Sequence, residues 1–213
     1  METGKLIDLL AREPTPVRAG WLRRRLAIAL LVGGMGALLM MLAYLGIRPD
    51  LAQAARTPMF WVKLGLPVSL LAVALLATAR LARPGVRLGR AGIAALVPVA
   101  LIWMLGAVML LEAGPGARVA MLLGATWKVC PFNIALLSIP AFIAAFWVMK
   151  DMAPTRPRVA GAFAGLFAGT IGAAIYCLHC PEMAPPFLGT WYLLGMLIPT
   201  AIGALAGPRL LRW

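Results

Sequence analysis

The stretch that decides the fold is "VAGAFAGLFAGTIGAAIYC", residues 159–177. It carries no charge, and its length is close to the ~20 residues that cross a bilayer as a helix. Gly161, Gly165 and Gly169 recur every fourth residue. That spacing lines small residues along one helix face and lets a neighbouring backbone approach closely. The run leads into "LHCPEMAPP", residues 178–186, where prolines stop the helix. Residues 176–186 hold two of the three cysteines in the chain and its single histidine.

Five more runs of this kind surround it, at approximately 26–46, 58–79, 91–111, 131–149 and 187–206. The chain is 62% hydrophobic with a mean hydropathy of +0.92, whereas soluble domains sit nearer half apolar. Nothing alternates like a barrel strand, and only helices or closed barrels satisfy the backbone in lipid. The first run exceeds the ~7–15 residues of a signal-peptide core and reads as a retained helix. The expected fold is therefore all-α: a polytopic membrane protein with a six-transmembrane-helix bundle over 26–206. An N-terminal segment, 1–25, precedes it, and a short tail, 207–213, follows. Pro67, Pro98, Pro140 and Pro199 each fall inside a run and are expected to kink it.

The net charge of +13 is distributed by side. Fifteen Lys and Arg fall in the N-terminal segment, the second and fourth connections and the tail; four (Arg48, Arg56, Arg118, Lys128) fall in the other connections. The positive-inside rule then puts both termini in the cytoplasm, N-in and C-in. The same rule and an anionic leaflet account for the basic charge without nucleic acid. Lys63 lies a few residues into the second run and is expected to snorkel to the outer interface. No Asp, Glu or Arg sits well inside any run, which argues against ion pumps and charged-substrate transporters.

This topology gathers the thiols. Cys130 opens the fourth run, and Cys177 and Cys180 close the fifth. A short connection joins the two runs, so their outer ends adjoin. Cys177 reads as a small buried apolar residue, while Cys180, between His179 and Pro181, is expected at the surface. Thiolates serve both disulfide exchange and soft metals. A site of three sulfurs and a site of two sulfurs with the His179 imidazole are both conceivable. At the other end, Leu6, Ile7, Leu9 and Leu10 fall in one short helical pattern closed by Pro14, with Thr3 placed to cap it. So short a helix builds no core of its own. It suits either the membrane surface or a partner's groove.

These residues together resemble the NrsF family of six-helix bacterial membrane anti-sigma factors. The resemblance runs through "LIDLLA", "PVR", "LGIRPDLA" and "WKVC", then "MAPTRPRVAGAFAGLFAG", "YCLHCPE", "WYLLGMLIPTAIGALAG" and "RLLRW". It implies no enzymatic activity and no resident cofactor. It implies an inner-membrane regulator that holds an extracytoplasmic-function (ECF) sigma factor on its cytoplasmic face. Release would follow a stress signal of thiol-reactive heavy metal or oxidant. The family's cysteine pair falls on Cys130 and Cys180, which would also be the sulfurs that meet a transient soft metal; Cys177 and His179 are further candidates. Leu6, Ile7, Leu9 and Leu10 become candidate anchors for the sigma factor, assisted by the basic segment Arg80–Arg90. Two rival classes fit less well. A membrane thiol oxidoreductase needs a second redox pair, and a cysteine-relay heavy-metal permease needs thiols at successive depths.

Overall fold

The computed structural model describes Gly4 and residues 20–212, apart from 84, 87 and 153. The proposed anchors Leu6, Ile7, Leu9 and Leu10 lie outside the described residues. Among the described residues all regular structure is helical. The helices are α1 (Trp21–Tyr44), α2 (Leu51–Ala54), α3 (Pro58–Leu81), α4 (Ala91–Ala94), α5 (Leu96–Glu112), α6 (Pro115–Leu123), α7 (Cys130–Leu137), α8 (Ile139–Lys150), α9 (Pro157–Tyr176), α10 (Pro185–Phe187) and α11 (Leu193–Leu210). A π-helical turn, Leu188–Tyr192, joins the last two. Five helices are long and apolar enough to cross a membrane, and α7 with α8, bent by 44°, makes a sixth.

Two of these helices went unread in the sequence, α2 and α6, both in connections. The expected break at Pro140 is present. Pro140 has no N–H to continue the ladder, so α7 ends at Leu137 and α8 begins at Ile139. Ser138 fills the joint, its hydroxyl donating to the Ile134 carbonyl at 2.6 Å. Pro98 stands four residues past Ala94, whose carbonyl it cannot reach with an N–H, and the helix divides there into α4 and α5. Pro67 and Pro199 sit inside continuous helices, so neither divides its helix as Pro98 and Pro140 do.

The central helix is α9, which packs against α11, α3, α8, α7 and α1. The glycine stripe explains this. A Cβ on Gly161 would overlap the carbonyl of Gly203, and one on Gly165 the carbonyl of Pro199. On Gly169 it would stand 2.8 Å from the Met196 carbonyl. The α9 and α11 backbones are thus in direct contact, in the range where Cα–H···O bonds form. Gly172 seats the bend, since a Cβ there would meet the Ile134 carbonyl at 2.6 Å.

The two ends of the bundle differ in chemistry. At one end Arg25, on the first turns of α1, pairs with Asp151, just past α8. Arg23, Arg24, Arg80, Arg156, Arg158 and Arg209 belong to the same helix ends. At the other end the chain returns from α1, α6 and α9 over the three cysteines.

Candidate functional site

Cys130, Cys177 and Cys180 are free thiols in one buried cluster, each 0% exposed. Each reaches it from a different local geometry. Cys130 is the first residue of α7; its N–H donates to the Thr126 carbonyl at 2.9 Å, and Pro131 follows at a position that needs no N–H. Cys177 caps α9, and its sulfur donates to the Ala173 carbonyl at 3.3 Å. That is the small buried role read from the sequence. Cys180 lies one turn on, its N–H still bonded to the Tyr176 carbonyl at 3.0 Å.

The expected exposure of Cys180 is corrected here. The helix already ends at Tyr176 and Pro181 is exposed, but Cys180 between them is covered by the chain that follows. Three polar clasps hold this cover down. Arg48 donates to the Cys180 carbonyl at 3.2 Å while its other nitrogens grip Asp50 at 2.7 Å. That guanidinium holds the Asp50 carboxyl below the usual carboxylate range. The Glu182 carboxylate accepts from the Ala125 and Thr126 N–H groups at 2.7 and 3.2 Å, which ties the cover to the turn leading into Cys130. Lys63 supplies the third clasp.

Lys63 overturns the snorkelling expectation. It is 0% exposed, and its ammonium donates to the carbonyls of Cys180 and Glu182 at 2.6 and 2.8 Å. The third side of the ammonium faces the Tyr192 ring, 5.2 Å from its centroid. The amine turns from α3 to these carbonyls rather than outward to water. No carboxylate pairs with Lys63 among the described residues.

The Cys180 thiol is held below the ordinary thiol range, first by the neighbouring Cys130 thiol and then by the Lys63 charge, against the opposing effect of burial. His179 is half-buried, and its Nδ1 meets the Gly46 carbonyl at 2.9 Å, where Gly46 ends α1 with φ 74°. Among the described residues no three His, Cys, Asp or Glu side chains are grouped to hold a metal ion. The arrangement suits two-sulfur chemistry: a disulfide, or a soft ion bridged by two thiolates.

Sequence reasoning located all three cysteines and their common depth but missed Lys63, Arg48 and Glu182. A hint was available in "LGIRPD", 45–50, where a lone Arg and an Asp flank a proline in a connection otherwise poor in charge.

The chain matches the family described as "NrsF: Negative regulator of sigma F" over residues 10–213. It is 49% identical over 213 residues to a protein of Azospira oryzae named probable anti-sigma-F factor NrsF, and the match covers the whole of both chains. It is 41% identical over 232 residues to the anti-sigma-F factor NrsF of Caulobacter vibrioides, again over the full length of both. No solved structure matches the chain.

Proposed function

The chain belongs to the NrsF family of negative regulators of sigma F, a family of regulators and not of enzymes, and on that premise we propose that it is a thiol-triggered anti-sigma factor of the bacterial inner membrane. It spans the bilayer six times with both termini in the cytoplasm. The basic ends of α1, α3, α8, α9 and α11 face the cytoplasm and hold an ECF sigma factor there. The cysteine end faces out. Residues 1–25 dock the sigma factor through Leu6, Ile7, Leu9 and Leu10, residues 26–206 sense, and 207–213 form a cytoplasmic tail.

The observation that carries the sensing role is the burial of all three thiols of the chain in one cluster at one end. Cys130, which opens α7, and Cys180, one turn past α9, are the reacting pair. An oxidant such as a diazene takes two electrons from the pair and two protons from the pair and water, leaving a disulfide and a hydrazine. A soft metal displaces the protons the pair still holds instead. Either product ties the start of α7 to the end of α9. The bent α7–α8 joint, seated on Gly172, passes the change towards the basic end. With no thiol left at another depth, the cluster offers no relay for moving ions across.

A sigma-dependent reporter in intact cells tests this. Cys130→Ser and Cys180→Ser should each abolish induction by cadmium or diamide, and Cys177→Ser should weaken it at most. A normal response in the Cys130→Ser, Cys180→Ser double variant ends the thiol reading. Leu6→Asp with Leu10→Asp should induce the reporter without a signal while the protein still inserts, since each buried leucine contributes roughly 1.5–3 kcal/mol. Continued repression moves the sigma contact elsewhere.

A further inference from the structure

The thiol reading leaves Lys63 without a role, yet no other charged side chain among the described residues is so fully buried. An ammonium in the interior is stable only while its protons are engaged, and removing its partners leaves an uncompensated charge. Here the partners are two backbone carbonyls of the segment that carries Cys180, at 2.6 and 2.8 Å. Two arrangements of the segment would meet that requirement. In one, Cys180 and Glu182 cover Lys63 and the thiols are sealed. In the other, the segment lifts and Lys63 meets water. A half-lifted segment strands the charge, so intermediate positions are disfavoured. That is the two-state element that coupling between distant sites requires.

Lys63 also sits where such a change has reach. It lies in the second turn of α3, and the Cys177 sulfur approaches its own carbonyl at 4.0 Å. α3 is 24 residues long and unbroken through Pro67. At 1.5 Å per residue it spans about 36 Å, enough to run from the cysteine end to the basic segment after Leu81.

We propose that Lys63 is the positioning residue that seats Cys180 beside Cys130, and that its release from the Cys180 and Glu182 carbonyls is the step that carries a change at the thiol pair into α3. This rests on the thiol-sensing reading above and names its route. The bond that forms between the sulfurs, or through a metal, moves residue 180 relative to α7. The Cys180 carbonyl, shared by Lys63 and Arg48, moves with it.

The test uses the full-length protein in native membranes. A membrane-permeant acetylating reagent is applied with and without diamide, and acetylation of Lys63 is read by mass spectrometry beside the sigma-dependent reporter. Lys63 should be protected at rest and modified at least about tenfold faster after diamide, as expected when a local opening exposes a sealed group. In the Cys130→Ser, Cys180→Ser double variant it should stay protected and the reporter silent. If the wild-type reporter is induced while Lys63 stays protected, the proposal is overturned. Induction in the double variant would instead overturn the thiol reading itself. Lys63→Met keeps the aliphatic stem without the donors and should raise the uninduced reporter; Lys63→Arg, which restores donors, should return it towards wild type. A Lys63→Met protein that represses and responds normally also overturns the proposal. Should that variant fail to accumulate, the acetylation measurement on the wild-type chain decides alone.

Discussion

Helices α9 and α5 are both apolar enough to cross a bilayer, yet they hold opposite places in the molecule. α9 buries 67% of its most apolar stretch, whereas the helix through α5 buries 11%. The difference is one of side-chain size. α9 offers Gly161, Gly165, Gly169 and Gly172, and every one receives another helix's atoms. α5, "LVPVALIWMLGAVMLLE", offers mainly large side chains, and of these residues only Ile102 and Gly106 are buried. α5 is tethered near its middle. Gly106 lies against Pro186, and the Trp103 indole donates to the Gly189 carbonyl at 2.7 Å in the π-helical turn. A groove of about 660 Å³ remains between α5 and the bundle, lined by Leu70, Val99, Trp103, Trp191, Leu194 and Met196 among others. Apolarity decides that a helix enters the membrane. Small residues decide that it enters the core, because lipid is as apolar as leucine and supplies no drive for burial.

The comparison breaks most sharply at Gly165. Gly165→Leu places a side chain where the Pro199 carbonyl stands, so α9 and α11 must separate. We expect a loss above the usual ~1–3 kcal/mol of overpacking, seen as failure of the protein to accumulate in membranes. Normal accumulation would mean that the two helices are not in backbone contact. A middle-sized effect is expected at Trp103→Phe, which removes one hydrogen bond and strands the Gly189 carbonyl. The cost should be about 1 kcal/mol in thermal unfolding of the detergent-solubilised protein, with α5 the first helix to gain hydrogen exchange. The smallest effect belongs to Leu101→Ala. Leu101 is 58% exposed, and its loss should change stability by no more than about 0.5 kcal/mol in the same assay. A clearly larger cost would place a partner on that face.

The sequence shows these helices to within a few residues, because an uncharged run of ~20 has one meaning in lipid. It also shows that some neighbouring backbone approaches α9 closely, though not that the neighbour is α11, and it shows the Pro140 bend, since a missing N–H is local. The convergence of the cysteines follows from the topology alone. Lys63 and Cys180 were misread for one shared reason. Whether a residue near a helix end faces water depends on what the loops above it do, and residues 45–50 and 180–184 are far apart in sequence. Neither segment announces that Arg48 will donate to the Cys180 carbonyl or that Glu182 will reach the 125–126 turn. The prolines at 67 and 199 lie in helices that continue through them, so a proline alone does not say where a span divides.

The sealed cover over the thiols also sets a timescale. A reagent outside reacts only during the moments when the cover is lifted, so the observed rate is the intrinsic rate multiplied by the fraction of time spent open. A brief pulse of oxidant that decays faster than the cover opens leaves the pair untouched. A sustained exposure of the same total dose does not. If the cluster is the sensor proposed above, burial at 0% makes it an integrator, one that ignores fluctuation and responds to persistence.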